Sequence, residues 1–161
     1  MSTIQYNESE PSKFLANNIS LLSKGKVLDV AMGRGRNAIF LAGMGFEVEG
    51  VDISQESVDK ALETASKSGV EIKGVVADLE TSYHIRESAY DVIICFNYLQ
   101  RSLIEDIKAG LRPAGMIVYE TYIIDQARFQ RPKNPDYLLK HNELLHMFRD
   151  FRCLRYHEGI I

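Results

Sequence analysis

The chain has 161 residues, of which 45% are hydrophobic and 25% charged, a balance typical of one soluble globular domain. Its formal net charge of −3 argues against nucleic-acid binding, and no stretch reaches the roughly 18 apolar residues of a membrane-spanning helix. Residues 1–10 lack the apolar core of a secretory signal, and neither the two cysteines nor the four histidines show metal-ligand spacing. We therefore expect a cytoplasmic protein with reduced thiols, no metal site and no membrane partner.

In chain order, apolar periodicity and turn residues predict an alternation of helices and short strands. The predicted helices cover residues 12–23, 37–44, 55–68, 102–111 and 142–151. The predicted strands cover residues 26–30, 47–51, 70–77, 91–97, 116–122 and 152–157. Ser54 suits the N-cap of the third helix, and Gly69 suits its end. The short strands are nearly all apolar, which is typical of strands covered on both faces.

This alternation predicts an α/β fold, a three-layer sandwich with a Rossmann-like, mostly parallel twisted sheet between two helical layers. No linker or repeat divides the chain, so we expect one domain over residues 1–161. Within it, residues 1–24, with Tyr6 and Phe14, are predicted to form a helical cover. Residues 123–141, rich in basic residues and proline, are predicted to form a lid loop, which we call the lid segment.

Polar residues stand where four of the predicted strands end. Asp29 lies near the end of the first strand, Asp52 and Asp78 directly follow the next two, and Asn97 ends the fourth. Ligands of such sheets bind beyond the carboxyl ends of the strands, at the point where the strand order reverses. The sequence therefore predicts a ligand site at this edge.

The glycine-rich turn after the first strand indicates that the ligand contains a nucleoside. Residues 33–38 (GRGRNA) satisfy the pattern G-x-G-x-x-G/A, and Asp52 is placed to take a ribose diol. A dinucleotide would bring a pyrophosphate to this turn, close to the carboxylate of Asp29. S-adenosylmethionine (SAM) carries an ammonium and a sulfonium and no phosphate. We therefore expect SAM, with a nicotinamide-dependent oxidoreductase as an alternative.

The same stretches resemble the class I SAM-dependent methyltransferases. Residues 29–35 (DVAMGRG) resemble the family's motif I, [D/E]-x-G-x-G-x-G, with Ala31 in place of the first glycine. Residues 90–97 resemble motif IV, and residues 111–115 (LRPAG) are similar to the L-[K/R]-P-G-G turn before the fifth strand. The variant at residues 33–38 looks most like the tellurite-resistance-type branch.

The resemblance implies which residues contact the cofactor. Asp52 would hold the ribose hydroxyls, Asp29 would lie near the methionine ammonium, and Asp78 with the backbone of Leu79 would contact the adenine. The full set that the resemblance implies is Asp29, Ala31, Gly33, Gly35, Asn37, Asp52, Ile53, Ala77, Asp78, Leu79 and Asn97. The product would be S-adenosylhomocysteine (SAH).

The acceptor is less well defined. Motif IV continues as FNYL over residues 96–99, unlike the [D/N]-P-P-[Y/F] of enzymes that methylate amino groups of bases or glutamine. This departure argues for a small-molecule acceptor. Methyl transfer needs alignment of the reactants above all, and a general base only if the acceptor must lose a proton. Four residues after the fourth and fifth strands are candidates for acceptor contact or catalysis: Tyr98, Arg101, Glu120 and Tyr122.

The family's usual last strand, which is antiparallel, is not evident in the sequence. Its absence would expose the edge of the fifth strand, and a homodimer could cover that edge. Two alternatives to an independent enzyme follow from this interpretation. One is a non-catalytic SAM- or SAH-binding regulatory module, and the other is a truncated methyltransferase that needs a partner.

Overall fold

A five-stranded parallel sheet forms the centre of the molecule in the computed structural model, which describes residues 9–160. Its strand order is β3-β2-β1-β4-β5. The strands are β1 (Lys26–Val30), β2 (Glu47–Asp52), β3 (Lys73–Val76), β4 (Tyr90–Phe96) and β5 (Leu111–Glu120). The order reverses between β1 and β4, so the carboxyl ends of these two strands flank the expected ligand crevice.

Within the described residues, five α-helices cover the two faces of this sheet. They are α1 (Lys13–Asn17), α2 (Arg36–Gly43), α3 (Gln55–Lys67), α4 (Ile104–Gly110) and α5 (Glu143–Met147). Alternate side chains of β1 enter two separate cores: Val27 packs with α1, α2 and α3, whereas Leu28 packs with α4. The predicted three-layer α/β architecture is therefore confirmed.

Glu49, in the middle of β2, is a buried acid in a largely apolar sheet. Its side chain is buried, and its carboxylate accepts hydrogen bonds from Tyr83, Tyr90, Lys73 and Arg86 at 2.9–3.3 Å. Although burial opposes ionisation, the hydrogen bond from Lys73 and the charge of Arg86 hold the pKa of Glu49 below its usual range. A buried carboxylate with this many donors is structural, and it ties β2 to the segment between β3 and β4.

The C-terminal part of the chain departs from the prediction. No strand forms at residues 152–157, where nearly all side chains are exposed, so neither face of a strand would be covered. The predicted helix over residues 142–151 is reduced to the single turn of α5. The predicted sixth strand is therefore wrong. Within residues 9–160, β5 has no neighbour on its outer side, and the predicted homodimer across that edge stays a prediction.

Other predicted elements are present but shorter or divided. The first helix breaks into α1 and a 3-10 turn at Ile19–Leu21. The third strand covers only Lys73–Val76, because the backbone N–H of Val70 still closes α3 by bonding the carbonyl of Ala65 at 3.0 Å. The helix before β5 begins as a 3-10 turn at Arg101–Leu103. Residues 1–8, and with them Tyr6, lie outside the described residues.

None of the helices described between residues 9 and 160 is long and apolar enough to cross a membrane. In the same part of the chain, no group of three or more His, Cys, Asp or Glu side chains is arranged to hold a metal ion. Cys95 is buried in the sheet, and burial raises the pKa of its thiol to about 12, whereas Cys153 is exposed.

Candidate active site

The turn after β1 is shaped by three residues in the left-handed region. Ala31, Gly33 and Gly35 have φ values of 55°, 55° and 79°. Met32 between them continues the sheet by donating its N–H to the carbonyl of Val51 at 3.0 Å. Ala31, which stands where motif I has its first glycine, therefore keeps the glycine-like conformation at some conformational cost.

Gly33 and Gly35 serve different purposes within this turn. A Cβ built on Gly33 would meet no atom of residues 9–160 within 4 Å, so in this part of the chain its backbone faces open space at the carboxyl edge. A Cβ on Gly35 would lie 2.8 Å from the Cβ of Ala61, so this glycine lets α2 approach α3 closely. Gly33 is therefore the position at which a ligand has room.

Asp52 ties the glycine turn to the end of β2. Its Oδ2 accepts the backbone N–H of Gly33 at 2.8 Å, and its Oδ1 accepts that of Ser54 at 2.9 Å. Helix α3 is capped by Ser54, whose hydroxyl accepts the N–H of Ser57 at 3.2 Å. The carboxylate of Asp52 is thus held at the carboxyl edge, where it keeps lone pairs for further donors.

Asp29 is buried beneath this turn with one oxygen unpaired. The side chain is 2% exposed, the backbone N–H of Ala38 bonds its carboxyl group, and Oδ2 has no hydrogen-bond partner among residues 9–160. Burial and the negative charge of Asp52 raise the pKa of Asp29 to about 8, and the positive charge of Arg36 offsets only part of this rise. A buried carboxyl oxygen without a donor is costly, and it suits a cationic ligand group.

We expect Asp29→Asn to stabilise the unliganded chain at alkaline pH. Because the pKa of Asp29 is raised on folding, the folded state retains a proton that the unfolded state loses, and stability falls as pH rises from about 4 to about 8. The variant lacks this penalty. Its thermal midpoint should exceed that of the original chain by about 2–4 °C or more near pH 9.

The control for this measurement is Asp106→Asn, which changes an exposed carboxylate of α4. The advantage of Asp29→Asn should shrink as the pH is lowered from about 8 to about 4 and vanish below that range, where Asp29 is protonated in both states. An advantage independent of pH would mean that the ionisation of Asp29 is not its cause.

The end of β3 leads into a turn built by Asp78. Its Oδ1 accepts the N–H of Glu80 at 2.8 Å, and its carbonyl accepts the N–H of Ser82 at 2.9 Å. Ala77 extends the pairing of β3 with β2 through its N–H and the carbonyl of Asp52, at 3.0 Å. Leu79 is buried, whereas Ile53, directly after Asp52, is 68% exposed. The edge thus presents an apolar side chain between two carboxylates.

Ser12 joins three elements at the opposite side of the crevice. Its backbone N–H donates to Oδ1 of Asn37 at 2.9 Å, and its hydroxyl donates to Oε1 of Glu120 at 3.1 Å. The same hydroxyl caps α1 by accepting the N–H of Phe14 at 3.1 Å. The side chain of Asn37, predicted to contact the cofactor, is therefore buried and engaged in holding the N-terminal segment.

Sequence reasoning missed Ser12 as a member of this site. Its position before a helical pattern marks it as an N-cap, which is a local signal. Its bond to Glu120 joins residues that are 108 positions apart in the sequence, and no local pattern indicates such a contact.

Three acceptor candidates lie at the ends of β4 and β5. Burial and the nearby carboxylate of Glu80 raise the pKa of the Tyr98 hydroxyl to about 12, and this hydroxyl donates to Oε1 of Gln100 at 2.7 Å. Glu120 is half-buried, and burial raises its pKa despite the hydrogen bond from Ser12. Tyr122 follows β5 and accepts the N–H of Leu139 on its carbonyl at 2.9 Å.

The other two residues predicted beyond β4 are placed differently. Asn97 is exposed, has φ of 56°, and donates its N–H to the carbonyl of Glu120 at 2.9 Å. The guanidinium of Arg101 bonds Glu143 at 2.7 Å. The carboxyl edge therefore brings together Asp29, Asp52, Asp78, Asn97, Tyr98 and Glu120, and leaves Arg101 at its border.

A sequence profile described as a methyltransferase domain matches residues 27–115, which run from β1 through the start of β5. The chain belongs to the SAM-dependent methyltransferase family. This confirms the prediction drawn from the glycine turn and the acids that follow the strands. It also identifies SAM as the family's cofactor and SAH as its product.

Relatives agree with this assignment. The probable SAM-dependent methyltransferase TehB of Haemophilus influenzae is 26% identical over 97% of this chain and 56% of its own length. A ubiquinone biosynthesis O-methyltransferase of Idiomarina loihiensis is 29% identical over 67% of this chain and 46% of its own. The chain spans about half the length of the curated relatives it matches. The match to TehB agrees with the predicted tellurite-resistance-type branch.

The fold agrees as well. The crystal structure of TehB from Haemophilus influenzae superposes with a TM-score of 0.79, at 24% identity, over 96% of this methyltransferase chain and 55% of that one. This likeness establishes the α/β fold and leaves the acceptor open.

Proposed function

We propose that this chain binds SAM at the carboxyl edge and transfers its methyl group to a small-molecule acceptor. The observation that carries the proposal is the unpaired, buried Oδ2 of Asp29 beneath the glycine turn. A pyrophosphate would add negative charge beside this carboxyl, whereas the ammonium of SAM would supply the donor that it lacks. Membership of the methyltransferase family supports the same ligand.

The residues present fit such a cofactor. Asp29 would face its cationic end, and the open space at Gly33 would admit it close to the backbone. Asp52 would accept the ribose hydroxyls while it holds the turn, and the exposed side chain of Ile53 with the turn at Asp78 would border the adenine. When bound, SAM supplies a methyl group already activated by a sulfonium. The chain's own task is then to align the acceptor and exclude water.

Of the four acceptor-side candidates, Glu120 is best suited to remove a proton. Arg101 is engaged by Glu143, and the Tyr98 hydroxyl, with a pKa near 12, is a donor at neutral pH. Burial raises the pKa of Glu120 towards the working range of a general base, and Ser12 fixes one of its oxygens. We therefore favour an acceptor that attacks through a hydroxyl or an amine. The O-methyltransferase name of one relative supports a hydroxyl.

The cofactor is tested by calorimetric titration of the full chain with SAM, SAH and NAD. We expect SAM and SAH to bind with micromolar dissociation constants, and NAD to give no heat. Binding of NAD alone would overturn the proposal in favour of an oxidoreductase. Binding of SAM and SAH without turnover of any acceptor would favour the non-catalytic module.

Glu120→Gln is expected to separate acceptors that need a base from those that do not. SAH release is measured with four probes: a catechol, a primary amine, a thiol and tellurite. With the catechol or the amine, the variant should lower kcat about 100-fold, because general-base catalysis is lost. With the thiol, which reacts as the thiolate already formed in solution, or with tellurite, it should have little effect. Glu105→Gln, on the exposed face of α4, is the control, and an equal loss with all four probes would contradict the role of Glu120 as a base.

A further inference from the structure

Arg101 uses nearly all of its hydrogen-bonding capacity on the region that follows β5. Its Nε and Nη2 bond the two carboxylate oxygens of Glu143 at 2.7 and 3.1 Å. Its Nη1 donates to the carbonyl of Asp136 at 2.9 Å, and Nη2 also donates to that of Leu138 at 3.0 Å. A planar guanidinium is the side chain that holds a carboxylate and two carbonyls in fixed geometry.

These bonds fasten the lid segment at its base. The two limbs of the segment pair with each other, because Leu139 bonds the carbonyl of Tyr122 and Ile124 bonds the carbonyl of Leu139, both at 2.9 Å. Asp125 and His141 form a second tie at 2.6 Å. Between them, residues 128–131 are exposed. The limbs thus form one unit, and Arg101 joins that unit to the helical turn after β4.

The same bonds remove Arg101 from direct contact with an acceptor. Its positive charge is matched by Glu143, whose pKa the hydrogen bond from Arg101 holds below its usual range. Arg101 stands three residues after Tyr98, whose carbonyl accepts the Tyr119 hydroxyl of β5 at 2.7 Å. A displacement of the lid segment would therefore also shift the residues at the ends of β4 and β5.

We propose that Arg101 is a positioning residue, a clasp that fixes the lid segment beside the ends of β4 and β5 and so shapes the acceptor entrance. The proposal rests on the proposed function only in identifying what lies beneath the lid segment. The clasp itself is a property of the chain and can be tested without an acceptor.

Trypsin tests the clasp directly, because the exposed residues Arg128 and Lys133 lie in the lid segment. Cleavage of a folded chain requires local opening, so its rate reports how firmly the segment is held. We expect Arg101→Ala to speed both cleavages about tenfold, and Arg101→Lys, which keeps the charge without the fork, to give an intermediate rate. The dissociation constant of SAH should stay within about twofold, since the cofactor residues are untouched.

The matched control is Arg112→Ala, which removes a similar ion pair, with Asp91 at 2.8 Å, at the opposite end of β4 and β5. It should leave the tryptic rates unchanged. With the probe acceptor that turns over fastest, Arg101→Ala should raise the KM of that acceptor and leave the KM of SAM unchanged. Unchanged cleavage in both Arg101 variants, or equal acceleration by Arg112→Ala, would overturn the clasp. Absence of turnover in the original chain would count against the proposed function, and the tryptic comparison would still decide the clasp.

Discussion

Asp52→Ala is expected to weaken cofactor binding about 100-fold or more while leaving a folded chain. The carboxylate of Asp52 holds the N–H groups of Gly33 and Ser54, so its removal frees the glycine turn and deletes the acceptor for the ribose hydroxyls. Losing a hydrogen bond to a charged group costs about 1.5–3 kcal/mol, so the affinity for SAH should fall about 100-fold or more. Calorimetric titration with SAH measures this, and thermal unfolding measures the smaller loss of stability.

Two further variants show whether position or charge matters at this site. Asp59→Ala removes an exposed carboxylate of α3 that accepts a hydrogen bond from Gln55 at 2.8 Å, and the variant should bind SAH normally. Asp52→Asn keeps one acceptor oxygen and should retain part of the affinity. If Asp52→Ala bound SAH as tightly as the original chain, the carboxyl edge near β2 would not be the cofactor site.

The half of the fold that carries the site is predictable from the sequence because its signals are local. The strand over residues 26–30 is present as predicted, since a buried parallel strand reads as a short apolar run. Ser54 caps α3 as predicted, because an N-cap is recognised from one residue and the helix after it. The glycine turn is likewise a local pattern, so the sequence predicts the segments that follow both β1 and β2.

The acceptor side depends on contacts that no local pattern reports. From the sequence, Arg101 has the features of a solvated residue at the start of a helix. Its proposed positioning role follows from its bond to Glu143, which lies 42 residues further along the chain. The predicted strand at residues 152–157 has suitable residues, but their side chains are exposed and they pair with no strand within residues 9–160. In both cases tertiary context decides the outcome, because a strand or an ion pair needs its partner as much as its own sequence.

The acids at the carboxyl edge show why the proposed cofactor residues are more accessible to sequence reasoning than the proposed acceptor residues. Asp29, Asp52 and Asp78 each follow from strand position, and each also supports the turn around it. Glu120 stands at an equivalent place on β5, but its environment is set by Ser12 from the N-terminal segment. A carboxylate whose pKa depends on a distant residue cannot be assigned a role from its strand alone.

Gly35→Ala is expected to destabilise the chain strongly, whereas Gly33→Ala is expected to impair cofactor binding. At Gly35, the added Cβ would lie 2.8 Å from Ala61 in a left-handed backbone, so steric and conformational costs add to about 2–6 kcal/mol. At Gly33, the added Cβ meets no atom within 4 Å, and only the conformational cost of about 1–2 kcal/mol remains. That Cβ would, however, fill the space proposed for the cofactor.

Gly69→Ala supplies the reference for both variants. Gly69 has φ of 72° and no atom within 4 Å of an added Cβ, and it lies at the end of α3, at the opposite end from Ser54. Urea unfolding should rank Gly35→Ala well below Gly33→Ala and Gly69→Ala, which should be similar. Titration with SAH should then distinguish Gly33→Ala, in which binding is lost, from Gly69→Ala, in which binding is kept. Normal binding by Gly33→Ala would place the cofactor away from the glycine turn, because no ligand packed against that backbone tolerates a methyl group there.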